Sequence, residues 1–210
     1  VEEVCKFAKE KNVLCIIDGA HVPGHIPFNL SKLDPDVYTG ACHKWMCAPK
    51  GTSFLYVKRN LQKTIDPLVI SWGYESDMPS HSQFLDYHQW QGTNDLSSYF
   101  TIPNVIKFLK KYNWDKVRNV CHQNNIKARK LICNEIDSSP ISSNQFIGQM
   151  SSIIIKDTEP MEFQKKLYNQ FKIQVPIIKW ENKTLLRISM QAYNTMNDID
   201  RLIFALKRIN

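Results

Sequence analysis

Two residues of this chain, Lys44 and Asp18, have the types and positions that cofactor chemistry requires. Asp18 ends the apolar run 13–17, and Lys44 follows His43 shortly after a strand-like segment at 36–39. A lysine amine forms a Schiff base with an aldehyde, and a carboxylate holds a pyridinium nitrogen. These are the two groups that a pyridoxal phosphate enzyme takes from its protein. Because each residue follows a segment with strand character, the pair predicts a cofactor enzyme.

The two side chains would divide the chemistry between them. The Lys44 amine would react with the cofactor aldehyde, give way to a substrate amine, and then move protons at the substrate α-carbon. The Asp18 carboxylate would keep the ring nitrogen protonated by ion pairing, which makes the ring a better electron sink. His21 could reach the phenolic oxygen of the ring, and His43 with nearby backbone amides could bind the phosphate.

The composition is that of a globular protein and excludes two classes of function. The 210 residues are 43% hydrophobic and 22% charged. No apolar stretch approaches the roughly 20 residues that span a bilayer, so no membrane segment is predicted. The net charge of +7 is spread over many lysines instead of forming a basic stripe with interleaved aromatic residues. Nucleic-acid binding is therefore not expected.

The cysteines and histidines do not predict a metal site. The six cysteines form no close CxxC pair, which favours reduced thiols in a cytosol-like compartment over a disulfide framework. Cys42, His43 and Cys47 lack the second ligand pair of a zinc site. His21 and His25 have the spacing of helical metal ligands, but a proline and a glycine lie between them and oppose a helix.

The beginning of the chain resembles the middle of a protein. No initiator Met is present, and an amphipathic helix over 2–11 is already under way at the first residue. We expect the C-terminal half of a longer protein, whose upstream part could carry a targeting segment. The expected location is the cytoplasm.

Hydrophobic periodicity predicts the elements that must position the two residues. Lys44 lies in the turn between two predicted strands, and segment 61–95 has no clear period. The predicted strands are 13–17, 36–39, 53–57, 152–156, 172–178 and 184–190, and the predicted helices are 2–11, 97–111, 114–136, 160–170 and 197–208.

The order of these elements predicts an α/β protein with two domains. Alternating strands and helices in the first part favour parallel strands in a larger sheet. A polar break at 137–143 gives the boundary. The domains are therefore predicted at 1–136 and at 137–210, the second being a small α+β domain.

Four ordered motifs resemble the class V aminotransferase family of fold-type I pyridoxal phosphate enzymes, and within it the isopenicillin N epimerase-like group. They are Asp18-Gly19-Ala20-His21, Tyr38-Thr39-Gly40-Ala41-Cys42-His43-Lys44-Trp45 with Ala48-Pro49-Lys50-Gly51, Gly92-Thr93-Asn94-Asp95, and Leu186-Arg187-Ile188-Ser189. The resemblance covers nearly the whole chain. It implies the C-terminal part of a large pyridoxal phosphate-binding domain, followed by a small C-terminal domain.

The resemblance implies roles around the cofactor. Lys44 would be the Schiff-base lysine and Asp18 the partner of the pyridine nitrogen. His21 would face the ring oxygen, and His43 would contact the phosphate. Ala41 stands where many relatives carry a polar side chain, so phosphate binding is expected to rest on Thr39, His43 and backbone amides.

Two further roles concern the partner subunit and the substrate. Thr93 would reach the phosphate of the neighbouring subunit's cofactor, which implies a homodimer with shared active sites. Arg187 would bind the α-carboxylate of an amino-acid substrate. The planar guanidinium supports this role independently, because it matches a carboxylate bidentately and a lysine does not.

The reaction type stays open at the sequence level. An amino-acid epimerase or aminotransferase is the first choice, and a C–S lyase acting on a sulfur amino acid is the alternative. A desulfurase with a persulfide intermediate is not expected, because no cysteine lies between Phe171 and Arg187. The opposite-face acid of an epimerase is not identified; His81, Tyr87 and His88 are guesses. A catalytically silent, dimerising relative is the hypothesis from a different class.

Overall fold

The computed structural model describes residues 1–209, which fold into two compact units of mixed α/β structure. The first unit comprises residues 1–111, and the second begins at Tyr112. None of the helices within residues 1–209 is long and apolar enough to cross a membrane.

The first unit carries a three-stranded sheet, five α-helices and a 3-10 helix. The strands lie in the order β1-β2-β3, with β1 parallel and β3 antiparallel to β2. The elements are α1 (Glu2–Glu10), β1 (Ile16–Asp18), α2 (Leu30–Leu33), β2 (Val37–Ala41), β3 (Ser53–Val57), a 3-10 helix (Arg59–Thr64), α3 (Gln83–Gln89), α4 (Ser97–Phe100) and α5 (Ile102–Lys111).

The register of β1 and β2 decides where the chemical side chains lie. Asp18, the last residue of β1, pairs with Thr39 of β2. Since parallel strands end at the same edge of a sheet, the loop after Asp18 and the turn after Ala41 leave from one edge. This is the edge at which open α/β sheets bind ligands.

Asp36 fixes the other end of this strand pair. Its carboxylate accepts the backbone N–H of Cys15 at 2.8 Å and lies 3.1 Å from the ammonium of Lys58. The N–H of Cys15, more than Lys58, holds the pKa of the Asp36 carboxyl below its ordinary value of 3.8.

This lowered pKa predicts a loss of stability in acid. A carboxyl group whose pKa is lower in the folded state contributes stability above its unfolded pKa, and this contribution disappears as the pH falls from 3.8 through the folded value. The difference in unfolding free energy between the wild type and Asp36→Asn should therefore be larger at about pH 5 than at about pH 3 in urea titrations. An equal difference at both pH values would contradict the assignment.

The second unit is an antiparallel sheet covered by helices. Its strands lie in the order β4-β6-β5, and α6 packs on β4 and α8 while α7 packs on β5. The elements are α6 (Trp114–Glu135), a 3-10 helix (Asn144–Phe146), β4 (Met150–Ile155), α7 (Pro160–Phe171), β5 (Ile177–Trp180), β6 (Lys183–Ser189) and α8 (Met196–Leu206). Completely buried Ile132, Ile153, Leu167 and Leu186 form the centre of its core.

Two differences from the predicted organisation concern the helices before residue 137. The predicted helix 97–111 is divided into α4 and α5, with Pro103 in the first turn of α5. Proline has no N–H for the helical bond to the preceding turn, so a continuous helix is disfavoured there. Helix α6 packs within the second unit, whereas the sequence analysis placed it in the first domain, before the boundary at 137.

Candidate active site

The loop after β1 holds the carboxylate of Asp18 at the edge of the sheet. Oδ1 of Asp18 accepts the backbone N–H of Ala20 at 2.9 Å, and the side chain is exposed. The N–H of Gly19 donates to the carbonyl of Thr39 at 2.9 Å. The loop is thereby tied to β2, and the carboxylate orientation is fixed by a local backbone donor.

The turn after β2 presents the side chain of Lys44. The N–H of Cys47 donates to the Lys44 carbonyl at 3.2 Å, and the N–H of Ala48 donates to the carbonyl of Cys42 at 3.1 Å. Cys42 in turn donates to the carbonyl of Thr52 at 3.0 Å. The backbone of Lys44 is therefore held by a closed turn, while its side chain is exposed.

A hydrogen bond joins the loop after Asp18 to the turn that carries Lys44. The indole Nε1–H of Trp45 donates to Nδ1 of His21 at 3.2 Å. The ring of His25 stacks on the Trp45 indole with centroids 4.4 Å apart. The structure thus brings the loop after Asp18 and the turn that carries Lys44 together.

A backbone carbonyl in the turn just before β3 orients the ring of His43. Its Nδ1 lies 2.9 Å from the carbonyl of Thr52, and because a carbonyl only accepts, Nδ1 carries the proton. Contact between the other ring nitrogen and a phosphate oxygen would need a second proton on the ring. The contact of His43 with a cofactor phosphate stays a prediction.

Thr39 does not fit the phosphate role that was expected of it. Its hydroxyl donates to the carbonyl of Phe54 at 3.1 Å. A phosphate dianion offers acceptors, and the single hydroxyl proton is already used in this bond. Phosphate binding by this edge would rest on His43 and on backbone N–H groups.

Tyr38 packs directly under the loop that carries Asp18. The ring is 1% exposed, and burial, followed by the negative charge of Asp18, raises the pKa of its phenol. A Cβ atom added at Gly19 would lie 2.0 Å from the Tyr38 hydroxyl oxygen. Only glycine therefore allows the loop to lie this close to the ring.

Gly19→Ala is expected to destabilise the first unit. The added methyl would displace either the buried Tyr38 ring or the loop, and overpacking of this kind typically costs about 1–3 kcal/mol. The midpoint of urea denaturation should fall, whereas Ser53→Ala, at an exposed position of the same sheet, should leave it nearly unchanged. An unchanged midpoint in Gly19→Ala would contradict the prediction, because it would show that the loop accommodates the methyl group without a loss of unfolding free energy.

Thr93 lies in the first unit, in the segment before α4. Its side chain is exposed and makes no hydrogen bond among residues 1–209. The preceding Gly92 has a φ of +79°, and a Cβ there would meet the Trp72 ring at 2.4 Å. The structure places Thr93 on the surface, and its contact with a neighbouring subunit stays a prediction.

Arg187 lies on β6 of the second unit and lines a cavity of about 520 Å³. Its backbone N–H donates to Pro176, while its side-chain Nε is buried and has no partner among residues 1–209. Lys172 and Arg201 line the same cavity. Asp198 also lines the cavity, but none of the three cations forms an ion pair with a carboxylate among residues 1–209. The excess of positive charge in the lining favours an anionic ligand.

Sequence reasoning missed the contacts of Trp45 and the two cations beside Arg187. An aromatic residue next to the lysine gave a weak signal for the first. Nothing in the local pattern indicated the second, because Lys172 follows α7 and Arg201 lies on α8. Tertiary structure alone brings these cations to one cavity.

Comparison with known proteins gives the family. The family model "Aminotransferase class-V" matches residues 1–202. The chain belongs to the class V aminotransferase family. Pyridoxal phosphate is the cofactor of this family, and the chemistry of the donor set, a carboxylate, a primary amine and oriented imidazoles at one sheet edge, fits it.

Several curated class V aminotransferase relatives match almost the whole chain. Isopenicillin N epimerase from Amycolatopsis lactamdurans is 28% identical over 99% of this chain and 55% of its own length. Hercynylcysteine sulfoxide lyase from Schizosaccharomyces pombe is 27% identical over 94% of this chain and 52% of its own length. L-cysteine desulfhydrase from Arabidopsis thaliana is 23% identical over 100% of this chain and 50% of its own length. The chain therefore spans about half the length of these relatives.

A solved structure confirms the predicted fold. The apo structure of a cysteine desulfurase from Thermococcus onnurineus NA1 superposes with a TM-score of 0.83 at 18% identity, over 100% of this chain and 55% of that one. At this level of identity the match shows the fold. The expected α/β architecture of fold-type I enzymes is thus present.

Proposed function

We propose that this chain forms part of a pyridoxal phosphate-dependent enzyme of the isopenicillin N epimerase-like group that acts at the α-carbon of an amino acid. One observation carries the proposal. Because β1 and β2 are parallel, Asp18 and Lys44 lie at the same edge of the sheet. The hydrogen bond from Trp45 to His21 joins the loop after Asp18 to the turn that carries Lys44.

Each side chain has a task that follows from its chemistry. Bound pyridoxal phosphate would supply an electron sink for a bond broken at the substrate α-carbon. Asp18, oriented by the Ala20 N–H, would hold a protonated ring nitrogen. The amine of Lys44 would bind the cofactor aldehyde and later remove or deliver the α-proton. His43 would hold the phosphate.

The substrate would be held by its carboxylate. The Nε of Arg187 is buried and has no partner within the described residues 1–209. This nitrogen and one of the terminal nitrogens would donate two parallel hydrogen bonds. Lys172 and Arg201 would add to the positive potential of the same cavity. This arrangement supports an amino acid as substrate.

Epimerisation is our first choice of reaction, and C–S cleavage is the alternative. The relative named as an epimerase favours the first, and those named as sulfoxide lyase and cysteine desulfhydrase favour the second. Transamination remains open because the family model carries that name. Persulfide-forming desulfuration is not proposed, since the chain has no cysteine between Phe171 and Arg187.

Two proposals concern the assembly and its compartment. The exposed position of Thr93 supports its proposed contact with a partner subunit's cofactor phosphate, and so a homodimer with shared sites. No disulfide joins the six cysteines, all of which lie within residues 1–209, and this supports a reducing compartment such as the cytoplasm.

The products formed from amino acids in deuterated water would test the function. The chain supplied with pyridoxal phosphate should exchange the α-proton of its substrate. An epimerase also gives the amino acid with the inverted configuration at its α-carbon, an aminotransferase gives an oxo acid, and a C–S lyase releases a sulfur compound. Lys44→Ala is the matched control. Absence of α-proton exchange with every amino acid, while cofactor is bound at Lys44, would contradict the proposal.

A further inference from the structure

The contact between Trp45 and His21 determines which nitrogen of the His21 ring carries the proton. The Trp45 indole nitrogen lies 3.2 Å from Nδ1 of His21. An indole N–H can only donate, so Nδ1 of His21 must be the acceptor in this bond. In a neutral imidazole one nitrogen accepts and the other carries the proton. The proton of His21 therefore resides on Nε2.

The indole is held in place from its other face. The His25 ring stacks on Trp45 with an interplanar angle of 20°, and Nδ1 of His25 lies 3.0 Å from the carbonyl of His21. A carbonyl only accepts, so His25 is the donor there. His21, Trp45 and His25 form a closed ring of contacts in which both Trp45 and His25 are buried.

The backbone of the loop is shaped to admit this arrangement. Gly24 has a φ of +78°, and a Cβ there would lie 2.5 Å from the carbonyl oxygen of Trp45. A residue with a side chain would push the loop away from the turn. The glycine thus permits the close approach on which the hydrogen bond depends.

We propose that Trp45 is a positioning residue that fixes His21 in the Nε2–H tautomer and so makes it a hydrogen-bond donor. Placed three residues after Asp18, at the edge assigned to the cofactor, this donor would face the phenolic oxygen of the pyridine ring. This last step rests on the proposed function. Donation to that oxygen stabilises its anionic form, so Trp45 would tune the cofactor without touching it.

The tautomer can be measured in the cofactor-free chain, independently of any activity. Long-range 1H–15N spectra of the chain labelled with 15N in histidine and tryptophan, at a pH where His21 is neutral, report which ring nitrogen carries the proton. His21→Gln assigns the resonance. We expect the Nε2–H form and a scalar coupling between Nε1 of Trp45 and Nδ1 of His21 across the hydrogen bond.

Trp45→Phe keeps an aromatic ring for His25 to stack on and removes the N–H donor together with part of the indole ring system. The coupling should disappear and a second tautomer of His21 should become detectable. Trp90→Phe, at an exposed tryptophan, is the matched control and should change neither signal. An Nδ1–H form or a missing coupling in the wild type would overturn the proposal, as would an unchanged tautomer in Trp45→Phe.

The cofactor-loaded chain separates this inference from the proposed function. Trp45→Phe should shift the visible absorption band of the bound cofactor, whereas Trp90→Phe should not. If the cofactor attaches at Lys44 but Trp45→Phe does not shift its absorption band, only the proposed tuning role of Trp45 is overturned. Failure to attach cofactor at Lys44 would overturn the proposed function, while the tautomer result would stand.

Discussion

Replacement of Lys44 by alanine is expected to abolish turnover, with a loss of at least about 10³-fold. The variant would lose both the amine that binds the cofactor aldehyde and the group that moves the α-proton, and general acid–base catalysis alone contributes about 10²–10⁴-fold. The fold should be unaffected, because the side chain is exposed and makes no hydrogen bond or ion pair among residues 1–209. Steady-state kinetics and the far-UV spectrum check the two statements.

Lys50 provides the matched control for this substitution. It is exposed and follows Lys44 closely in the chain, but nothing in the site assigns it a role. Lys50→Ala should retain activity within the error of the measurement. Equal losses in both variants would trace the effect to general charge or stability, and full activity in Lys44→Ala would refute the enzyme proposed here.

Arg187→Lys is expected to raise the KM for the amino-acid substrate by about 10- to 100-fold with a smaller change in kcat. Lysine keeps the charge but cannot form two parallel bonds to a carboxylate. Loss of one hydrogen bond to a charged group costs about 1.5–3 kcal/mol, and 1.4 kcal/mol corresponds to tenfold in affinity.

A second arginine of the same unit controls for effects on stability. Arg208 lies over the ring of Phe204 at 4.1 Å from its centroid and does not line the cavity of Arg187. Arg208→Lys should leave the KM unchanged. If Arg187→Lys left the KM unchanged as well, the carboxylate would have to be bound elsewhere.

The chemical residues were predictable from sequence because each follows a short segment of strand character. The residues at which the strands begin were harder to predict. The apolar run 13–17 predicted a strand, yet β1 begins at Ile16, because the N–H of Val13 bonds to Ala8 at the end of α1. Pairing with β2, not hydrophobicity, decides where β1 starts.

The predicted strand 172–178 shows the same limit in the second unit. Lys172 adopts a left-handed conformation that ends α7, and Ile173 and Val175 pack against the core without pairing. The strand register with β6 begins at Ile177, one residue after Pro176 accepts the backbone N–H of Arg187. An apolar residue can be buried as a strand or as a loop, and its local sequence does not distinguish the two.

The bond between Trp45 and His21 was beyond prediction for a related reason. It joins two loops whose approach depends on the parallel pairing of β1 and β2 and on the glycine at 24. Residue types indicated that a donor and an acceptor were present, but only the three-dimensional structure shows which nitrogen of the imidazole accepts.

The most direct test of the central claim is to map where the chain binds pyridoxal phosphate. The purified chain is mixed with the cofactor, its visible spectrum is recorded, and the product is reduced with borohydride and digested for peptide mass analysis. We predict a new visible band and a single pyridoxyl group on Lys44. Absence of the band, or labels scattered over surface lysines and equally abundant in Lys44→Ala, would contradict the assignment of this sheet edge as the cofactor site.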